Sequence, residues 1–367
     1  MAPPPPTAAE QYLAQDRFNR RFIFSTTSHG DLPVTYADVG VSARDAPVVL
    51  FIPGMVGSRY FAVDKHAIAE KMGVRMLLVD KFGMGGTPLV PLDQRLSLWC
   101  ELVPQLLAHL SIQHVTLIAH SAGTIYLLNT LARCPQILYP SKPSVVLLAP
   151  WVDPVHSGVT LMQCAQYLPT PTFRVWNNVM RFFALNVSPM LSSSGDILKS
   201  SNTTTSTSTS TNENTREERA RHHIQEEYGL SIKFQHELEK TAISAVFNGS
   251  TAGANADALL CLRKGPGTSW AACDDYAAFV TELVDTLALA QRSGGESGPA
   301  SPLLVRAYFA ESDRMIGRKG QAYFEDCWQK GDGEFLRFES RTIPETDHET
   351  LLTCSVIEEI FELARSD

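Results

Sequence analysis

Val115-Thr116-Leu117-Ile118-Ala119-His120-Ser121-Ala122-Gly123-Thr124-Ile125-Tyr126-Leu127-Leu128 is the stretch on which the reading of this chain turns. Val115–Ile118 is a short apolar run with the length and composition of a buried strand. Beyond Gly123 the period changes, and Ile125, Leu128 and Ala132 fall on one face of a helix. Between the two, Ala119-His120-Ser121-Ala122-Gly123 must turn the chain sharply. A serine hydroxyl is a poor nucleophile unless it is presented clear of its own backbone, and a strained strand-to-helix turn does that. Such a turn presses strand against helix, so the residues two before and two after the serine must be small; they are Ala119 and Gly123. The Ala122 N–H then lies at a helix N-terminus, where the dipole and a free donor can hold an oxyanion.

Outward from this turn, short apolar runs recur at Val48–Ile52, Val74–Val79, Val145–Leu148, Leu303–Phe309 and Phe335–Ile343, with helix-length segments between most of them. Alternating strands and helices of these lengths predict an α/β fold, a mainly parallel sheet with helices on both faces. Ahead of it, Arg21–Thr27 and Pro33–Val39 read as a hairpin, with Val34 and Tyr36 facing in and Thr35 out. Near the C-terminus Ile357, Ile360, Phe361 and Ala364 make one buried helical stripe. The rhythm breaks once, between Leu148 and Leu303, an interval far beyond an ordinary loop. The expected organisation is therefore a core built from residues 1–150 and 301–367 and an inserted, mostly helical cap over 151–300. Within the insert, about 200–215 is a Ser/Thr/Asn tract with too little apolar surface to fold, expected to be a mobile excursion.

The chain has 367 residues, 31 Lys+Arg against 39 Asp+Glu and a formal charge of −8. This acidity argues against a nucleic-acid partner, since the densest basic stretch, Arg216, Arg219 and Arg221, is interleaved with Glu217 and Glu218. No apolar run approaches the roughly 18 residues of a membrane span. Met1–Glu10 is Pro-rich and lacks the features of a secretory signal, and the seven cysteines include no close pair. A cytoplasmic, reducing compartment is the expectation.

With these residues in view, the sequence resembles the α/β-hydrolase superfamily along nearly its whole core. Ala119 stands where the family usually has glycine. Pro53-Gly54-Met55 is similar to the oxyanion loop, with Pro53 where histidine is common; the resemblance assigns the Met55 N–H as one oxyanion donor and Ala122 N–H as the other. Asp80, Gly83, Gly85 and Thr87 resemble the turn after the next strand, Tyr308–Asp313 the acid loop, and Thr346-Asp347-His348 the histidine loop. The family order of nucleophile, acid and base is met by Ser121, Asp313 and His348 at gaps of 192 and 35 residues. Asp313 has two competitors for the acid, Glu311 close by and Asp153 beyond the strand Val145–Leu148, where some relatives carry it. Asp347 reads as a solvent-facing or helix-capping carboxylate, and His120, which in many relatives precedes the nucleophile and is usually structural, has no expected chemical role.

Other candidates are weaker. Gly83-Met84-Gly85-Gly86 lacks the last glycine of a dinucleotide fingerprint, and Pro88 follows where a helix should run. His222-His223 and His236-Glu237 lack zinc-binding spacing, His236 having Lys240 where a second His belongs, and read as a solvated helical face. No metal or cofactor is expected. Phe173, Trp176, Met180 and Phe183 form an apolar stripe on an expected helix, preceded by Leu161, Met162 and Tyr167, and suit core packing first and an apolar substrate surface second. The resemblance thus implies a serine hydrolase cleaving an ester of a hydrophobic small molecule. Thioester hydrolysis, C–C bond hydrolysis and acyl transfer use the same residues. A non-catalytic ligand- or protein-binding scaffold and an interfacial lipase are the competing readings. Epoxide hydrolysis and dehalogenation, which on this fold use an aspartate at the position of Ser121, are disfavoured. The sequence leaves the oligomeric state open.

Overall fold

The computed structural model describes residues 5–182, 216–292 and 301–365. The chain enters through a short helix, α1 (Ala8–Leu13), and the hairpin of β1 (Arg20–Thr26) and β2 (Gly30–Gly40). Then follow β3 (Val48–Ile52), α2 (His66–Met72), β4 (Arg75–Val79), α3 (Arg95–His109), β6 (Thr116–His120), α4 (Gly123–Arg133) and β7 (Ser144–Leu148), with a two-residue strand β5 (Met84–Gly85) after β4. The core closes with β9 (Leu303–Ala310), α12 (Gly317–Gln329), β10 (Leu336–Ile343) and α13 (Cys354–Arg365). The described residues between β7 and β9 form α5 (Pro154–Ser157), α6 (Thr160–Tyr167), α7 (Trp176–Phe182), α8 (Arg216–Tyr228), α9 (Ile232–Asn248), the two-residue β8 (Ser250–Thr251), α10 (Ala252–Cys261) and α11 (Tyr276–Arg292).

Among the described residues, eight strands make one sheet in the order β1-β2-β4-β3-β6-β7-β9-β10. The β1–β2 and β2–β4 pairs are antiparallel and the remainder are parallel. Every residue of β3, β6 and β7 is buried, as continuous apolar runs covered by helices on both faces must be. The mainly parallel sheet of the sequence reading is the sheet observed. The final stripe is also as expected, since Ile357, Ile360, Phe361 and Ala364 of α13 are all buried.

Two expectations are corrected by burial on a second side. Thr35, expected to face out, is 5% exposed, because its hydroxyl donates to Asp80 Oδ2 at 2.6 Å and its N–H to Thr87 Oγ1 at 3.1 Å. Ala132 is exposed while Gly123 through Leu131 are buried all round, so α4 has no single apolar face. Phe173, moreover, lies in a short 3-10 helix (Thr170–Val175) ahead of α7 rather than on one α-helix with Trp176, and is 1% exposed. Tyr167 and Leu161 stay largely exposed, whereas Met162 packs against the core. The Ser/Thr tract about 200–215, Phe183 and the Met180 side chain lie outside the described residues.

Several described residues between β7 and β9 pack into the core of the sheet. Leu238 of α9, Leu260 and Cys261 of α10, and Tyr276, Phe279, Val280, Leu283 and Leu287 of α11 join the same buried cluster as the sheet strands. No helix of the described residues is long and apolar enough to cross a membrane.

Candidate active site

The residues singled out above stand at the C-terminal ends of neighbouring parallel strands, where open α/β sheets present their ligands. Pro53-Gly54-Met55 follows β3, Ser121 follows β6, Asp313 follows β9 and His348 follows β10. Ser121 has φ +51°, a left-handed conformation disfavoured for a residue with a Cβ and costing roughly 1–3 kcal/mol. It is held there by its N–H donating to Leu148 O at 2.9 Å and by Thr124 N–H donating to its carbonyl at 2.9 Å. The expected strained corner is thus present between β6 and α4.

The demand for a small residue at position 123 comes from a neighbour that sequence spacing does not show. A Cβ on Gly123 would lie 2.2 Å from Ile52 O and 3.0 Å from Pro53 O, backbone atoms at the end of β3. Gly123→Ala is therefore expected to destabilise the fold by about 2 kcal/mol or more in urea unfolding. Wild-type stability in that variant would show that α4 does not start against β3 as described.

His348 Nε2 and Ser121 Oγ are 2.8 Å apart, and His348 Nδ1 and Asp313 Oδ2 are 2.8 Å apart. The other carboxylate oxygen of Asp313 accepts from the N–H groups of Met315 and Ile316 at 2.8 and 2.9 Å, which fixes the carboxylate plane. Burial alone would raise the Asp313 pKa, but His348 and these two N–H groups outweigh it and hold the carboxyl below its ordinary value. Burial would lower His348; the hydrogen bond and charge of Asp313, with Glu349 and Asp347 behind, reverse the sign and raise it above 6.5. Ser121 and His348 are 5% and 6% exposed, so the pair works in a largely dry setting.

The competitors for the acid are engaged elsewhere. Asp153 caps α5 by accepting from Val155 N–H at 3.0 Å and pairs with Arg263 Nε at 2.8 Å. Glu311 accepts from Glu345 N–H at 2.9 Å. Asp347 accepts from the N–H groups of Glu349 and Thr350, as a turn-capping carboxylate does.

Pro53-Gly54-Met55 lies against Ser121. A Cβ on Gly54 would come 3.3 Å from Ser121 Cβ and 3.2 Å from His120 Nδ1. Among the described residues, neither Met55 N–H nor Ala122 N–H donates to a protein acceptor, leaving two donors beside the serine. His120 makes a structural contact. Its Nε2 lies 3.0 Å from the His348 carbonyl, tying the histidine loop to the elbow, and burial pushes its pKa down to about 4, so it stays neutral and donates.

Above the loop, Met55 packs against an apolar cluster of Phe173, Ala258, Leu262 and Trp176 from the inserted segment. The glycine-rich turn after β4 is occupied structurally, β5 pairing with β8 rather than opening a helix. His222 and His236 are exposed, as a solvated face requires. His223, however, meets Cys354 and Glu358, and Glu358 Oε1 already lies 2.7 Å from His223 Nε2 and accepts from Tyr228 OH.

No protein-family model and no curated protein matches the chain. Solved structures do. An epoxide hydrolase from Vigna radiata superposes with a TM-score of 0.54 at 16% identity, over 95% of this chain and 98% of that one. An α/β-hydrolase enzyme from a Medee basin deep-sea metagenome library gives 0.51 at 13% identity, over 94% and 95%. A thermophilic esterase from Thermogutta terrifontis gives 0.50 at 14% identity, over 94% and 98%.

Proposed function

The chain has the α/β-hydrolase fold, and on that fold we propose that it is a serine hydrolase cleaving a carboxylic ester of a hydrophobic small molecule. The observation that carries this reading is the continuous relay from Ser121 Oγ through His348 to Asp313, with both steps at 2.8 Å. Ser121 Oγ attacks the acyl carbon while His348 Nε2 takes its proton. Asp313 keeps the other ring nitrogen protonated and stabilises the cationic ring without itself being protonated. Negative charge collects on the former carbonyl oxygen, where the Met55 and Ala122 N–H groups receive it. Collapse breaks the acyl–oxygen bond, and the proton on His348 goes to the leaving alcohol. Water, deprotonated by the same ring, releases the acid from Ser121.

Residues 151–300 act as the cap in this reading, and the apolar cluster over Met55 favours an apolar acyl or alcohol group. A serine in place of an aspartate nucleophile weighs against the epoxide chemistry of the Vigna radiata protein. All seven cysteines are free, in keeping with a reducing compartment.

A fluorophosphonate probe tests the proposal. One covalent adduct, located on Ser121 by peptide mass spectrometry, is expected; well-folded protein that stays unlabelled would favour the binding-scaffold reading. The pH profile is a second test. Only neutral His348 accepts the serine proton, so kcat/KM should fall as pH drops through its pKa, with the midpoint of the acid limb above 6.5 because Asp313 raises it. A midpoint clearly below 6.5 would contradict the Asp313–His348 coupling.

A further inference from the structure

Lys81, in the turn after β4, is a wholly buried lysine that the relay above does not use. Its Nζ donates to the Gly54 carbonyl at 2.7 Å and to Asp257 Oδ2 at 2.5 Å. Asp257 projects from α10, and its other oxygen accepts from Arg95 Nε at 2.9 Å and from Tyr126 OH at 2.6 Å. Lys81, Arg95, Tyr126 and Asp257 all have no exposed surface. Burial lowers the Lys81 pKa, with the Asp257 carboxylate pulling the other way, and Asp257 itself is held below its ordinary value, burial opposing and Arg95 and Lys81 prevailing. As a stability device such a cluster is poor, because desolvating the charges costs about what their attraction returns. The carbonyl it grips is the informative part.

Gly54 C=O and Met55 N–H belong to one planar peptide unit and point in opposite directions. Whatever fixes the oxygen therefore fixes the N–H. Glycine on one side of that unit leaves it free to rotate, and among the backbone donors of the described residues only Gly57 N–H, at 3.1 Å, also holds the oxygen. A cationic donor on the oxygen also polarises the amide and strengthens its N–H as a donor. We propose that Lys81, held in place by Asp257, is the positioning residue that aims the Met55 N–H at the carbonyl oxygen of an acyl group on Ser121. The inference rests on the serine-hydrolase reading. It also makes the inserted segment part of the oxyanion machinery, since α10 is stitched to the same turn by Gly253 N–H to Gly83 O at 2.9 Å and by the β5–β8 pair.

Lys81→Met tests this. The variant leaves Arg95 opposite Asp257, one cation and one anion, so the buried charge stays balanced and folding is expected. The measurements are kcat and KM on a soluble ester, inhibition by a trifluoromethyl ketone, whose adduct with Ser121 carries an oxyanion, and inhibition by the free acid product. A fall of about 10–100-fold in kcat, with a matching loss of ketone affinity and little change in KM or product binding, is expected for a misaimed oxyanion donor. Lys81→Gln, which can still donate to Gly54 O without the charge, should fall between wild type and Met. If kcat and ketone affinity in Lys81→Met stay within about twofold of wild type, the inference is overturned. A loss shared equally by KM, product and ketone binding overturns it too, as general damage to the site. Should the Met variant fail to fold, Lys81→Gln carries the same comparison. Failure of the underlying reading is visible separately, in wild-type protein that forms no adduct at Ser121.

Discussion

Ser121→Ala lowers turnover of an activated ester by about four decades or more and abolishes phosphonate labelling, while the protein stays folded. The substitution removes one oxygen and nothing else: alanine fills less space than serine, and the φ of +51° at this corner is no harder for Ala than for Ser. What is lost is the atom 2.8 Å from His348 Nε2, the group that forms the acyl bond in the proposed mechanism. The two N–H donors at Met55 and Ala122 remain, so catalysis should not fall to that of water; unit-like triads retain about 10³–10⁴-fold from binding and oxyanion contacts alone. Steady-state kinetics beside circular dichroism and a melting curve check this. Near-normal rates would remove Ser121 from the mechanism whatever the probe had labelled.

Asp313→Asn should lower kcat by about 10⁴-fold, and Asp153→Asn should leave it within a few-fold of wild type. The contrast follows from geometry. Asp313 Oδ2 touches the imidazole, whereas Asp153 is spent on Arg263 and the N-terminus of α5. An amide at 313 can offer its N–H to the ring and select the wrong tautomer, with the lone pair turned away from Ser121. The sign of the accompanying pH effect is also fixed. In the wild type Asp313 outweighs burial and raises the His348 pKa; without its charge, burial dominates and the acid limb of kcat/KM moves to lower pH. An Asp153→Asn variant with the larger loss would reassign the acid.

Much of the site was legible because it is encoded locally. Ser121 sits where a short continuous apolar run gives way to a helical pattern, with small residues on either side, and both signals are carried by chain neighbours. The acid was less legible, since Asp153, Glu311 and Asp313 all occupy strand ends and only three-dimensional proximity separates them. The partner of His120 is not legible in the sequence, because it is a carbonyl 228 residues away. Alternation along β2 assumes one solvated face, and at Thr35 that face is buried by Asp80 and Thr87.

The sequence by itself determined the strand–turn–helix corner, the parallel α/β architecture and the chain order of Ser121, Asp313 and His348, since periodicity and turn chemistry act between residues near in the chain. The tertiary structure alone decided which carboxylate meets the imidazole, why Gly123 must lack a Cβ, and that Lys81 reaches both Gly54 O and an aspartate 176 residues further on. A buried charge has to find its partner through packing, and packing joins segments whose separation along the chain carries no record of the meeting.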